Sequence, residues 1–189
     1  MPRGKTAVPK ANVRDRIVAA ADRLFYSEGV RAVGIDRVLA EADAAKASLY
    51  AHFGCKDELI AVYLERRAAE ARAGIEAFVA DTPPAQRALR FFDWVVGWTE
   101  SRDFCGCPMQ HVVSEIGDPK HPARVAAAAQ REWLHARFRE WSRAAKVKDH
   151  EATAGALMVL FDGAVAASEQ DGPQRARDAR WTARLLLSR

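Results

Sequence analysis

Residues 34–59 read GIDRVLAEADAAKASLYAHFGCKDEL, and this stretch decides the fold of the N-terminal part of the chain. Its apolar residues recur three and four positions apart on both sides of a break at Asp43-Ala44. This pattern is typical of two amphipathic helices joined by a tight turn. The spacing predicts short helices over about 36–42 and 46–53.

A longer helix precedes this pair, because apolar residues continue at helical spacing over about 12–28. Asn12 is the predicted N-cap of that helix. Gly29 and Gly54 follow the first and third helices, where glycine readily takes the left-handed conformation that ends a helix. The sequence therefore predicts three helices within about forty residues, the last two in a helix-turn-helix arrangement.

The remainder of the chain also predicts helices, and stretches of alternating β-branched residues are almost absent. Breaks fall at Pro83-Pro84, at the Cys105–Pro108 segment, at 117–119 and at 171–173. The fold class is therefore all-α, with about nine helices: 12–28, 36–42, 46–53, about 57–79, 85–101, 109–116, 122–146, 150–169 and 173–187. We predict a basic flexible arm over 1–11, a helix-turn-helix DNA-binding domain over 12–56 and a C-terminal effector-binding and dimerisation domain over 57–189.

Composition limits the protein class. The 189 residues carry a net charge of +4, which permits a nucleic-acid partner without requiring one. No apolar core of a secretory signal follows the basic start, and no uninterrupted apolar run reaches membrane-spanning length. Three cysteines do not suggest a disulfide framework. We therefore expect a cytoplasmic protein without a membrane partner.

The second helix of the pair carries the residue types that a DNA-reading helix needs. Lys46, Ser48 and Tyr50 face outward, whereas Leu49 and Phe53 face inward. A helix fits the major groove, and short polar groups on its outer face can reach phosphates and base edges. A helical subdomain that does not bind DNA would show the same spacing. The predicted DNA-binding residues are Arg3, Lys5, Lys10, Arg14, Ile35, Asp36, Lys46, Ala47, Ser48, Tyr50, His52 and Lys56.

At these residues the sequence resembles the TetR/AcrR family of transcriptional regulators. The resemblance covers about 12–64; its most specific parts are the 49–53 segment Leu-Tyr-Ala-His-Phe and the 56–59 segment Lys-Asp-Glu-Leu. It implies an all-helical homodimer on palindromic operator DNA, with a C-terminal effector pocket whose ligand releases the DNA. The chain departs from the family pattern at Asp43, where glycine is usual, at Ala44, where a larger apolar residue is common, and at Cys55, where serine often caps the next helix.

The C-terminal part is rich in aromatic residues, which predict either an effector pocket between bundle helices or a plain hydrophobic core. A pocket of this kind would take a small apolar or aromatic effector. The predicted effector-binding residues are Phe78, Phe92, Trp94, Trp98, Met109, Val112, Trp133, Phe138 and Phe161.

The last two helices carry apolar stripes, which fit either a four-helix dimer interface across a two-fold axis or the core of one protomer. The predicted dimerisation residues are Ala154, Leu157, Met158, Phe161, Val165, Trp181 and Leu185.

Cys105 and Cys107 allow a redox- or electrophile-sensing role, or a metal site with His111 and Glu115, but small buried cysteines explain the pattern better than either. The spacing does not match a zinc knuckle. We therefore predict no metal and no cofactor.

The alternatives to a ligand-responsive repressor are a helical small-molecule-binding protein or enzyme with an aromatic cavity, and a helical adaptor. The sequence offers no nucleophile with a nearby base and no phosphate-binding loop, so no catalytic residue is predicted.

Overall fold

The computed structural model describes residues 12–188. Three of the predicted DNA-binding residues, Arg3, Lys5 and Lys10, lie outside the described residues. Within 12–188 the chain forms nine α-helices and no strand, which confirms the all-α prediction. The helices are α1 (Val13–Glu28), α2 (Ile35–Ala42), α3 (Lys46–Phe53), α4 (Lys56–Val79), α5 (Arg87–Thr99), α6 (Pro108–Glu115), α7 (Pro122–Ala144), α8 (His150–Asp171) and α9 (Gln174–Leu187).

The ends of α1 follow the predicted capping chemistry. The Asn12 side chain accepts a hydrogen bond from the Asp15 amide at 2.8 Å, which satisfies an N–H group that has no partner inside the helix. Gly29 ends the helix with φ +88°, a left-handed conformation that L side chains rarely adopt. The first helix is therefore bounded by the two residues that the sequence predicts.

Apolar side chains form two buried clusters, one in each half of the molecule. The first, which we call the head core, joins α1–α3 to the N-terminal part of α4, and includes Phe25, Leu49 and Phe53. The second, the body core, lies among α5, α7, α8 and α9 around Phe91 and Trp141. The long helix α4 contributes to both clusters, so it connects the head to the body as a single rigid element.

The head core also includes side chains from beyond the predicted boundary of the DNA-binding domain at residue 56. Val112 on α6 and Ala123 and Ala127 on α7 are buried in it. The body therefore packs directly against the head instead of meeting it only through α4.

Four residues predicted for dimerisation are buried inside the protomer and cannot contact a second copy without rearrangement. Ala154, Leu157, Met158 and Val165 on α8 are all in the body core. The α8 stripe that the sequence shows is thus the inner face of the helix, where it packs against α7 and α9. This corrects the prediction for these four residues, because periodicity alone does not say which apolar neighbour a helix face meets.

By length and composition α8 would also qualify as a membrane-crossing helix. The mean hydropathy of its most apolar 18 residues is 1.2, and 33% of that window is buried in the protein. Core helices of soluble proteins meet the same criterion.

Candidate functional site

The turn between α2 and α3 is held in a left-handed conformation without glycine. Asp43 ends α2 with φ 47° and ψ 55°. The guanidinium of Arg16 on α1 donates to the carbonyl of Ala42 at 3.0 Å and to that of Asp43 at 2.6 Å. These bonds satisfy carbonyls that the end of α2 leaves without helical partners. They therefore fix the angle at which α3 leaves the turn.

One face of α3 is anchored and the other is open to solvent. Leu49 and Phe53 are buried in the head core, as the pattern predicts. Lys46, Ala47 and His52 are exposed, and Ser48 is half-buried. Tyr50 is 53% exposed, which is unusual for a large aromatic side chain and gives α3 a prominent outward ring.

The remaining predicted DNA-binding residues within 12–188 lie around this face. The Lys46 ammonium pairs with the Asp36 carboxylate at 3.2 Å. Ile35 is partly buried against the head core, so its side chain supports α2. Arg14 is exposed, with its guanidinium 5.5 Å from the centre of the Phe53 ring, and Lys56 opens α4. The free head thus presents cations at its surface, with the Lys46 charge partly neutralised by Asp36.

A second candidate site is a cavity of about 570 Å³ between the helices of the body. Its size falls in the usual range for small-molecule sites. Four of the residues predicted for effector binding line it, namely Trp94, Trp98, Met109 and Phe161. Phe161 therefore faces the cavity, whereas the sequence placed it in both the effector and the dimerisation sets.

The other five residues predicted for effector binding lie away from this cavity. Phe92 and Phe138 are fully buried and stack on one another in the body core. Val112 belongs to the head core. Phe78 and Trp133 lie near the surface, where the guanidinium groups of Arg90 and Arg72 cover their rings. The cavity wall therefore includes none of these five residues. Helical spacing did not separate them from the four that line it, because an apolar side chain at that spacing can face a core, a cavity or a cation equally well.

Several cavity residues were not in the set predicted for effector binding. They include one from the head, Tyr26, and others from five body helices, among them Arg67, Phe91, Gln110, Met158 and Asp162. Charged and amide side chains carry no periodic signal that separates a cavity wall from a solvated surface. Only the packing of the helices identifies them.

Helix α6 connects the cavity to the head. Met109 and Gln110 in its first turn line the cavity. The Glu115 carboxylate at its other end accepts hydrogen bonds from the backbone amides of Val30 at 3.3 Å and Arg31 at 2.7 Å, just after α1. A Cβ on Gly29 would lie 2.9 Å from this carboxylate, so glycine permits the close approach. We call these contacts the Glu115 clasp.

A second contact joins the head to the segment before α6. The Tyr26 hydroxyl donates to the carbonyl of Gly106 and accepts from the amide of Cys105, both at 3.1 Å. Burial raises the pKa of Tyr26 above its usual value. The hydroxyl therefore stays protonated and able to donate. The C-terminal end of α6 and the segment directly before its N-terminal end are thus both bonded to α1 or to the residues directly after it.

The two cysteines before α6 differ in environment. Cys107 is buried, and burial raises the pKa of its thiol to about 11, so this thiol is neutral at physiological pH. Cys105 is exposed. His111 pairs with Glu169 at 3.2 Å, whereas Glu115 faces the head, so the two α6 residues considered for a metal site have different partners. Among residues 12–188, no three histidine, cysteine or acidic side chains are arranged to hold a metal.

Apolar residues remain exposed on the outer side of α8 and α9. Val159 is 70% exposed, and the predicted dimerisation residues Trp181 and Leu185 are 57% and 41% exposed. Ala152 and Ala166 lie on the same open side of α8. We call Val159, Trp181 and Leu185 with these alanines the outer α8–α9 face. Trp181 and Leu185 are among the residues predicted for dimerisation, and Val159 is not.

Comparisons with known proteins agree with this architecture. Residues 17–63 match the family described as "Bacterial regulatory proteins, tetR family". The chain is 28% identical to the HTH-type transcriptional regulator LmrA of Bacillus subtilis over 68% of its own length and 66% of LmrA. It is 26% identical to the HTH-type transcriptional activator FasR of Mycolicibacterium smegmatis, over 65% of its own length and 56% of FasR. The chain therefore spans slightly less than two thirds of LmrA and little more than half of FasR.

Solved structures extend the likeness to almost the whole chain. A TetR-family transcriptional regulator from Streptomyces coelicolor superposes with a TM-score of 0.88 at 32% identity, over 93% of this chain and 94% of that one. Escherichia coli NemR, solved in its reduced form, shares the fold with a TM-score of 0.81 at 17% identity, over 93% of this chain and 98% of NemR. The helix-turn-helix head, the family match and the full-length similarity together show that this chain belongs to the TetR family of DNA-binding transcriptional regulators.

Proposed function

We propose that this protein is a ligand-responsive repressor that binds palindromic operator DNA as a homodimer and is released by a small apolar or aromatic effector. The observation that carries the proposal is α6, an eight-residue helix that lines the cavity at one end and bonds to the head at the other. A short rigid helix in this position can convert occupancy of the cavity into movement of the DNA-binding unit.

DNA contact is assigned to the open face of α3. Tyr50 and Lys46 project from it, while the buried Leu49 and Phe53 keep the helix fixed on the head core. The Tyr50 hydroxyl can reach a phosphate while its ring packs on the duplex wall. Lys46 can leave Asp36 for phosphate or a guanine edge, because a surface ion pair contributes little stability. The cationic residues of 1–11 would add phosphate contacts.

Dimerisation is assigned to the outer α8–α9 face. Val159 and Trp181 are large exposed apolar side chains on neighbouring helices, and burying them against a symmetry-related copy is favourable. Two heads related by a two-fold axis would read two half-sites, so the operator is expected to be roughly palindromic.

Release follows if the effector favours a different position of α6. The effector can shift the equilibrium between DNA-bound and released conformations only by the difference in its affinity for the two. Contacts with the first turn of α6 provide that difference, since the Glu115 clasp and Tyr26 transmit any displacement to the end of α1. Such a protein would act in the cytoplasm, where operator DNA is found.

A gel-shift titration with DNA upstream of the protein's own gene tests the proposal. We expect a specific shift at low salt that weakens steeply as salt rises, because phosphate contacts release counterions. Absence of any specific shift would contradict it. In vitro transcription from the same promoter distinguishes repression, the expected result, from the activation named for FasR.

A further inference from the structure

We infer that the cavity selects an uncharged aromatic molecule that carries one hydrogen-bond donor and one acceptor. This inference rests on the proposed function of the cavity as the effector site and specifies the chemistry of its ligand. Three features of the cavity wall support it: its rings, the pairing of its charges, and two amide groups with unused hydrogen-bonding atoms.

The rings form a continuous aromatic cluster, in which Phe91 is fully buried and Trp94, Trp98 and Phe161 are partly exposed. Phe91 and Trp94 stack with centroids 6.0 Å apart and planes 24° apart, and Trp98 lies 5.5 Å beyond Trp94. Phe161 meets Phe91 edge-on at 5.5 Å. Offset stacking and edge-to-face contacts are the favoured arrangements of aromatic rings, so a flat ring system can extend this set. The wall therefore favours an aromatic ligand over a flexible aliphatic one.

The two arginine–carboxylate pairs at the wall are already complete. Arg67 makes a two-pronged contact with Asp22, at 2.6 and 2.9 Å. Arg131 contacts both oxygens of Asp162, at 3.0 and 2.8 Å. A charged ligand that took over one of these groups would leave its partner uncompensated, which costs most at the half-buried Arg67–Asp22 pair and less at the more exposed Arg131–Asp162 pair.

The other charged groups at the wall are also engaged. Arg124 donates to the carbonyls of Val113 at 2.8 Å and Ile116 at 3.1 Å, at the negative end of the α6 dipole. Glu70 accepts from Arg66 at 2.8 Å. Within residues 12–188, each carboxylate of the wall thus has a cationic partner, and the one guanidinium without a carboxylate partner, that of Arg124, is held by two carbonyls; we therefore expect a neutral ligand to bind better than a charged one.

Two amide side chains supply the polar specificity, and their charged neighbours set their orientation. Gln110 donates through Nε2 to the Asp162 carboxylate at 3.1 Å, because a carboxylate can only accept. Its Oε1 is left as an acceptor without a partner in the part of the chain that the structure describes. The Oε1 of Gln130 accepts from the Arg72 guanidinium at 2.6 Å, which leaves the Gln130 NH₂ group as a donor.

A complementary ligand therefore presents a donor to Gln110 and an acceptor to Gln130. A hydroxyl and a carbonyl on one aromatic system meet both requirements without charge. Because a polar group left unpaired in a binding site is penalised, the two amides also select against a plain hydrocarbon.

Three probes of nearly equal shape test the charge preference: acetylnaphthol, hydroxynaphthoate and aminomethylnaphthol, with the same ring positions substituted. They are neutral, anionic and cationic at neutral pH. Thermal shift and isothermal titration with the full-length protein should show acetylnaphthol binding at least tenfold more tightly than either charged probe. Equal or tighter binding of a charged probe would overturn the inference while leaving the proposed effector site intact. If none of the three binds, both the inference and the effector site fail.

Gln110→Leu and Gln130→Leu test the polar contacts, with Gln86→Leu, at an exposed position outside the cavity, as the matched control. Each cavity variant should weaken acetylnaphthol binding roughly five- to tenfold, the effect of losing one hydrogen bond, and should weaken naphthalene binding much less. Unchanged acetylnaphthol affinity in both folded variants would overturn the assignment. If one variant fails to fold, the other variant still tests the polar contacts, and the probe series on the unaltered protein still tests the charge preference.

Discussion

Asp43 shows how a single residue can depart from a family pattern without loss of the local fold. Its φ of 47° is one that glycine adopts without steric strain, whereas a β-carbon makes the conformation unfavourable. Aspartate tolerates it better than most residues, and Arg16 holds the adjoining carbonyls. The departure thus introduces local strain that hydrogen bonds from α1 offset.

Asp43→Gly should raise the free energy of unfolding by about 0.5 kcal/mol, since relief of strain outweighs the added flexibility of the unfolded chain. Asp43→Val should lower it by about 1–2 kcal/mol, because a β-branched residue fits the left-handed region poorly. Urea unfolding measures both. Equal stability of the glycine and valine variants would show that the turn is not strained.

Cys107 should be the unreactive thiol of the three. Because burial raises its pKa to about 11, little thiolate exists at pH 8, whereas the exposed Cys55 and Cys105 are accessible. Iodoacetamide labelling followed by peptide mass mapping should find Cys107 protected until the protein unfolds. Rapid labelling of Cys107 in the native protein would contradict this.

The same shift has a consequence for stability. The unfolded chain loses the Cys107 proton at a lower pH than the folded chain does, so this contribution to stability falls as pH rises from about 9 to about 11. Cys107→Ala should flatten the decline in this range. Burial also raises the pKa values of Tyr26 and Tyr63, so these residues add to the decline in stability in both the unaltered protein and the Cys107→Ala variant.

At the scale of single elements, α3 and α8 each have one buried and one exposed face, and their exposed faces have different chemistry. The exposed face of α3 is polar and aromatic, with the Lys46 ammonium, the His52 imidazole and the Tyr50 ring. That of α8 is apolar, with small residues around Val159. Polar groups suit DNA, and small apolar groups allow close approach of another helix.

Lys46→Ala and Tyr50→Ala should each weaken operator binding about fivefold or more, because each removes a contact to the duplex. Lys148→Ala, which removes the same charge at an exposed site in the body, is the control. Gel shifts measure affinity, and circular dichroism verifies folding. If neither α3 variant differs from the control, α3 is not the DNA-reading helix.

If the outer α8–α9 face forms the proposed dimer interface, Val159→Arg should give monomers, because it places a charge in an apolar interface. Val125→Arg on α7 makes the same change at a site of similar exposure, 58%, away from the outer α8–α9 face. Analytical ultracentrifugation should show a monomer for the first variant and a dimer for the second. A dimer in both would place the interface elsewhere.

At the scale of the whole molecule, α4 and α6 join two cores into one structure. Helix α4 is buried in both, and α6 reaches from the cavity to the residues after α1. Regulation requires that the two sites be energetically coupled, which typically amounts to about 1–3 kcal/mol. The Glu115 clasp is the contact through which we expect most of that coupling to pass.

Glu115→Ala should therefore leave effector binding and operator binding measurable but reduce the effector-induced loss of DNA affinity at least fivefold. The control is Glu132→Ala, on the exposed side of α7. Gel shifts with and without acetylnaphthol, together with calorimetry for probe binding, separate lost coupling from lost binding. If the coupling persists unchanged in Glu115→Ala, the connection between the cavity and the head must pass through Tyr26 or α4 instead.

Much of the head could be predicted from the sequence because its determinants are local. Asn12, Gly29 and Gly54 bound helices through capping and backbone conformation, and the three- and four-residue spacing orients Leu49 and Phe53 inward. These signals involve neighbours along the chain. They established an all-α protein, the helix-turn-helix and the exposed face of α3.

The tertiary structure alone decided how the body's apolar and polar residues are used. Phe92 and Trp94 have the same kind of sequence environment, yet one is in the core and the other lines the cavity. Leu157 faces inward and Val159 outward on one helix. The partners of these side chains lie on helices distant in sequence. The contact of Glu115 with the residues after α1 likewise joins parts of the chain that are far apart in sequence. Periodicity gives each helix its faces, but only the packing of the helices determines what each face meets.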